Sequence, residues 1–161
     1  VARRARAFDV TIVAHDPYLS DGQIRDRGAE PASLESLLAW SDYVSMHLPL
    51  TEGTRNLFNP QRLAQMKKGA RLLCLARGGV IDEAALVAAL DTGHIAGAAL
   101  DVFAVEPPAP GSIAEHPRVI ATPHIGAQTR EGQDRAGLAI AEEVLAVLQG
   151  REPRFRVLAN D

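Results

Sequence analysis

Arg77, Glu106 and His124 are the residues whose types and settings could do chemistry in this chain. A guanidinium presents a planar fork of donors that fits a carboxylate bidentately. An imidazole tuned by a carboxylate can take up or release a proton near neutrality. Together they make an anion clamp and an acid/base group suited to an organic acid. Arg77 lies in Leu72-Leu73-Cys74-Leu75-Ala76-Arg77-Gly78-Gly79, Glu106 in Asp101-Val102-Phe103-Ala104-Val105-Glu106-Pro107-Pro108, and His124 in Thr122-Pro123-His124-Ile125-Gly126-Ala127. A charged residue after an apolar run stands at a strand end, where a cleft can use it. Gly78 and Gly79 allow a sharp turn, and Asp82 then starts a helix, so Ala76 to Asp82 is a strand-to-helix loop. Ligands of open α/β sheets bind along the edge that such loops form.

A second candidate stands in His15-Asp16-Pro17-Tyr18, directly after the first predicted strand. At a strand end in a nucleotide-binding sheet, a carboxylate can accept both ribose hydroxyl hydrogens of NAD and repel the 2′-phosphate of NADP. Asp16 can equally well start a turn before Pro17. The glycine fingerprint G-x-G-x-x-G that accompanies the first role occurs nowhere in the sequence, and its usual spacing would put it ahead of Val1. We therefore expect a chain that lacks its natural start, opening at Val1 in the last turns of an amphipathic helix.

The remaining histidines read differently. His47 follows a strand in His47-Leu48-Pro49-Leu50 and reads as structural or cleft-lining, while His94 and His116 fall in turn-rich stretches and are expected to be solvated. Cys74, the single cysteine, excludes an internal disulfide and reads as a core residue in a reducing cytoplasm. No metal site is expected. The net charge of -3 gives no electrostatic footprint for nucleic acid or anionic membrane, and no apolar stretch is long enough to span a bilayer. The expected partners are small molecules or other subunits.

The elements that must position these groups follow from alternating periods. Strands are predicted at 10–14, 43–47, 71–75, 95–102 and 118–121. Ser33 caps one helix, Asp82 caps another that Gly93 ends, and a long amphipathic helix runs from about Thr129 to Gly150 with Ala136, Ile140, Val144 and Leu148 on its stripe. Asn59-Pro60 and the segment 107–111 mark loops. Strands that alternate with helices and are apolar throughout imply a doubly wound α/β fold, a Rossmann-like parallel sheet covered on both faces and incomplete at its N-terminus.

Five segments then carry a resemblance. Met66-Lys67-Lys68-Gly69-Ala70, Ala76-Arg77-Gly78-Gly79-Val80-Ile81-Asp82-Glu83, Gly97-Ala98-Ala99-Leu100-Asp101-Val102-Phe103, Glu106-Pro107-Pro108 and Pro123-His124-Ile125-Gly126-Ala127, in that order, resemble the NAD-binding part of the D-isomer-specific 2-hydroxyacid dehydrogenases. Within that family, the segment 126–133 and the ending Val157-Leu158-Ala159-Asn160 look most like the branch that oxidises 3-phosphoglycerate for serine biosynthesis. Glyoxylate or hydroxypyruvate reduction, and a non-catalytic NAD-sensing co-regulator, are the alternatives.

The resemblance implies roles residue by residue. His124 exchanges the hydroxyl proton of a 2-hydroxy acid as hydride passes to or from NAD, Glu106 hydrogen-bonds the other ring nitrogen, and Arg77 binds the substrate carboxylate. Asp16 goes to the adenosine ribose and Asp101 to the nicotinamide carboxamide, while Leu48, Leu75, Ala76, Arg77, His124, Gly126 and Ala127 line the cofactor. Leu48 departs from the threonine common in the phosphoglycerate branch, and Leu75 replaces a commonly polar position, so only backbone contacts are implied there. The family pattern further implies an NAD-binding domain over 1–127 without its first strand and glycine-rich loop. It also implies a helix and tail over 128–161 from a substrate domain, and a homodimer formed through the nucleotide-binding domain. On this reading the chain by itself would not turn over substrate.

Overall fold

The computed structural model describes residues 1–156, so the Val157 to Asn160 segment lies outside the described residues. The chain divides into two compact units, one over Val1–Pro123 and a second that begins at His124.

The first unit opens with helix α1 (Ala2–Ala5), then alternates β1 (Val13–Ala14), α2 (Asp21–Asp26), β2 (Glu30–Pro31), α3 (Leu34–Trp40), β3 (Tyr43–Met46), α4 (Pro60–Gln65), β4 (Ala70–Cys74), α5 (Glu83–Asp91), β5 (Ile95–Leu100) and β6 (Val119–Ala121). All strand pairs are parallel. They form a two-stranded sheet, β1-β2, and a four-stranded sheet in the order β3-β4-β5-β6. This is the Rossmann-like α/β architecture. The first strand is shorter than the predicted 10–14, and Glu30–Pro31 is a strand that no local pattern announces.

Register explains where the core sits. Val44 pairs with Leu72 and Leu72 with Ala98, and Met46 pairs with Cys74 and Cys74 with Leu100, so two rows of buried side chains cross the sheet. Each row is set by the two-residue period of a strand. The intervening row, Ser45 to Leu73 to Ala99 to Ile120, ends on an exposed isoleucine, and Tyr43 beside Arg71 is also exposed. Edge strand β3 therefore alternates between buried and exposed residues, whereas no residue of β5 is exposed, as its apolar run predicts.

The helices begin where side chains satisfy free amides. Ser33 caps α3 by accepting from the Ser36 amide, and Asp82 caps α5 by accepting from Ala85 N–H at 3.0 Å. Leu86 and Leu90 of α5 are fully buried, which anchors that helix to the sheet. Two helices were not expected from the sequence. In α2, Ser20 and Gln23 form a reciprocal capping box, and in α4, Asn59 is the cap and Pro60 the first helical residue. The Asn59-Pro60 pair read as a loop marker is thus a helix start, because a proline's missing N–H costs nothing in the first turn.

The second unit is dominated by α6 (Arg130–Leu148), capped by Thr129 accepting from the Gly132 amide at 3.0 Å. Its apolar stripe is present as predicted, yet Ile140, Val144 and Leu148 are exposed. Arg154 folds back to pair with Glu142 and Glu143 of the same helix. None of the described helices is long and apolar enough to cross a membrane.

Candidate active site

The candidate residues of the first unit all follow the carboxyl ends of parallel strands. Asp16 comes two residues after β1, Leu48 after β3, Leu75 to Arg77 after β4, and Asp101 to Glu106 after β5. This is the edge at which an α/β sheet presents its loops to a ligand.

The loop after β4 is shaped by its glycines. Gly79 adopts φ +82°, a left-handed backbone that residues with a Cβ rarely take. At Gly78 a Cβ would come within 1.8 Å of the Phe103 carbonyl oxygen, so the loop after β4 packs backbone to backbone on the loop after β5. Only glycine permits that approach. Arg77 is exposed and donates from Nη1 to the Ala76 carbonyl at 2.7 Å, while Ala76 is buried and Leu75 half-exposed. Cys74 is buried, and burial pushes its thiol above the usual range. Its side chain belongs to the core, as expected, and a thiol held protonated is a poor nucleophile.

The loop after β5 is held by carboxylates. The Phe103 amide donates to Glu106 Oε1 at 3.0 Å, and the Ala104 amide donates to Glu83 Oε1 at 2.6 Å. Asp101 is only 3% exposed, and the Thr122 hydroxyl donates to its Oδ1. The Thr122 amide in turn donates to Leu100 O at 3.0 Å, which fixes that hydroxyl beside the carboxylate. A buried carboxylate is stable only with such partners.

Asp16 lies at the rim of a cavity of about 330 Å³ lined by His15, Asp16, Leu19, Ile24, Pro31 and Ser33, among others. The Tyr18 amide donates to Asp16 Oδ1 at 2.9 Å, the geometry of the turn reading. A carboxylate offers about four acceptor positions, so the turn and a ribose can share it. An acceptor-only group at a strand end, beside an open cavity, is the chemistry that ribose hydroxyls need, and the residues present fit the adenosine end of NAD. Leu48 is partly buried against the core, leaving its backbone as the available group.

His124 opens the second unit with φ +53°, one of three non-glycine residues in the left-handed region among the described residues. Its carbonyl accepts a hydrogen bond from Gln128 Nε2 at 3.0 Å, and the Gln128 amide donates to Ile125 O at 2.9 Å. The turn that carries His124, Gly126 and Ala127 is thus closed from inside, just ahead of the α6 cap. At Gly132 a Cβ would approach Ala127 O to 3.0 Å.

The other histidines need correction. His94 is half-buried with Nε2 against Leu63 O at 3.1 Å, and His116 bridges Asp91 at 3.2 Å while accepting from the Arg118 amide. Both are structural links rather than solvated side chains. His47 pairs with the Ser45 hydroxyl at 2.9 Å, as a structural histidine would. Sequence reading missed two contributors, Thr122 and Glu83. The first stands directly before the Pro123-His124 motif and the second inside the Arg77 motif, but only folding reveals what each touches. Among the described residues no cluster of ligands could hold a metal ion.

Residues 1–126 match the family model described as D-isomer specific 2-hydroxyacid dehydrogenase, NAD binding domain. The chain belongs to this family. D-3-phosphoglycerate dehydrogenase of Bacillus subtilis (strain 168) is 47% identical over 150 residues, covering 93% of this chain and 29% of that enzyme. The dehydrogenase-family chain thus spans less than a third of the length of that relative. Among solved structures, a glyoxylate reductase from Paecilomyes thermophila superposes with a TM-score of 0.89 at 36% identity, over 99% of this chain and 48% of that one. A D-isomer specific 2-hydroxyacid dehydrogenase from Xanthobacter autotrophicus Py2, in complex with NADPH and MES, gives a TM-score of 0.75 at 37% identity, over 98% and 63%.

Proposed function

We propose that this chain is the NAD-binding part of an enzyme that oxidises D-3-phosphoglycerate, the entry step of serine biosynthesis. The observation that carries this reading is the 47% identity to a D-3-phosphoglycerate dehydrogenase across 93% of the chain. Bound NAD supplies the hydride acceptor. Arg77 holds the substrate carboxylate through its planar fork and stabilises charge on the reacting oxygen. His124 takes the hydroxyl proton at one ring nitrogen and returns it in the reverse direction. Glu106 accepts from the other ring nitrogen and stabilises the imidazolium.

Asp16 accepts from the adenosine ribose, and its charge opposes a 2′-phosphate, so we assign NAD rather than NADP even though the Xanthobacter relative is described with NADPH. Asp101 serves the nicotinamide carboxamide, and backbone groups of Leu48, Leu75, Ala76, Gly126 and Ala127 line the cofactor. We place the domain boundary between 127 and 128. The working protein on this reading is a cytoplasmic homodimer formed through the nucleotide-binding domain, which sedimentation can check.

The test is kinetic, on the protein as its gene encodes it. NADH formation should be fastest with D-3-phosphoglycerate among D-3-phosphoglycerate, D-glycerate and D-lactate. His124→Asn should abolish turnover and spare NADH binding. Retained turnover in that variant would sink the proton-transfer role. Preferential reduction of glyoxylate or hydroxypyruvate would favour the second reading, which the Paecilomyes reductase supports through its TM-score of 0.89. NAD binding without any turnover would mark a sensing co-regulator instead.

A further inference from the structure

We propose that Glu83 is a positioning residue that fixes the loop bearing Glu106 against the loop bearing Arg77. This rests on the reading that Arg77 and Glu106 act on the substrate acid. Glu83 is the first residue of α5, and its Oε1 accepts from the Ala104 amide across 21 residues of sequence at 2.6 Å. Charge-assisted bonds of that length are the strong ones. The neighbouring Phe103 amide is taken by Glu106 itself at 3.0 Å, and the Phe103 carbonyl covers Gly78 so closely that a Cβ there would meet it at 1.8 Å. Two consecutive residues are therefore gripped by the helix, by the candidate carboxylate and by the arginine loop.

The helix end of this grip is rigid. Leu86 and Leu90 bury α5 in the core, and Asp82 caps it. A loop left to itself is mobile, and a reactive group must be held within about half an ångström to be productive. Glu83 passes the rigidity of α5 to residues 103–106, and through Phe103 and Gly78 to the backbone beside Arg77.

A different role would be a favourable charge at the helix N-terminus, where acids are stabilising wherever their side chains point. Three substitutions separate the two. Glu83→Asp keeps the charge but is one methylene too short to reach Ala104. Glu83→Gln loses the charge but keeps the acceptor, and Glu83→Ala loses both. Amide exchange at Ala104 and steady-state kinetics with D-3-phosphoglycerate and NAD are measured in the protein as its gene encodes it. The positioning role requires Ala104 exchange to rise about tenfold in the Asp and Ala variants, the order expected for losing a charge-assisted bond. In the same two variants kcat should fall by a similar factor with the KM for NAD unchanged, and Gln, which keeps the acceptor but makes the weaker neutral bond, should restore both in part.

Restoration by Asp and failure by Gln would overturn the proposal in favour of the helix charge. Faster exchange with unchanged kcat would also overturn it, provided Arg77→Ala and Glu106→Gln do abolish turnover. If those two variants leave turnover intact, the underlying reading fails and the proposal falls with it.

Discussion

The two sheets of the first unit are built on different principles. Every residue of the continuous hydrophobic core lies at or beyond Leu34, and it fills the space around β3 to β6 and α3 to α5. Before Leu34 only Ile24 and Ala29 are buried. The β1-β2 pair is joined by its backbone ladder, and the side-chain links around it are polar: Ser20 and Gln23 box the start of α2, and an exposed Arg25 leans towards Asp21 and Glu30 at 3.9 and 3.6 Å. Exposed pairs of this kind contribute little. Arg77 and Glu106, proposed for the substrate acid, thus stand on a self-packed frame, while Asp16, proposed for the adenosine end, stands on a minimal one.

Core truncation should separate the sheets most sharply. Leu72→Ala in β4, where the side chain is fully buried, should cost about 2–5 kcal/mol of stability in denaturant unfolding. Ile24→Ala should leave that transition almost in place and instead accelerate amide exchange in β1 and β2. A common loss of similar size would show the two sheets to be one cooperative body. Next in size, Gly78→Ala should cost about 1–3 kcal/mol, because the Phe103 carbonyl that a Cβ would meet is backbone and cannot swing aside. Its melting temperature should fall and turnover with it.

Thr122→Val should cost about 1–3 kcal/mol by stripping a donor from buried Asp101. Asp16→Ala should do the reverse, changing stability by about 0.5 kcal/mol or less while relaxing the preference for NAD over NADP. Equal discrimination before and after that substitution would remove Asp16 from the ribose.

The smallest effect concerns acid. Burial lowers the His47 imidazole from its ordinary 6.5, so the unfolded chain binds this proton more tightly than the folded one. Stability is complete above the unfolded value and declines as pH falls through it towards the folded value. Solvent at this exposed residue keeps the decline slight. Unfolding midpoints compared at about pH 7.5 and about pH 5.5 should show it, and His47→Gln should flatten it.

What could be read from the sequence follows the same division. Strands β3 to β6, the caps Ser33 and Asp82, and the long helix from about Thr129 were legible because local period and side-chain chemistry agree with the packing. The Arg77 loop was legible through its glycines. In the minimal sheet, two-residue strands carry too few side chains to show a period, so β2 was invisible and β1 overlong. Capping signals for α2 and α4 were present but look like turn chemistry when the helix behind them is only six residues long. The grips of Glu83 on Ala104 and of Thr122 on Asp101 each span 21 residues of chain, beyond the reach of any local pattern.

The left-handed backbone of His124 has a consequence for anyone who wishes to interrogate it. Asparagine enters that region readily, whereas valine or isoleucine would be forced out of it. An Asn replacement therefore deletes the imidazole and leaves the turn's shape intact, while a β-branched one disturbs both at once. Chemistry and conformation at this position can be varied as independent coordinates.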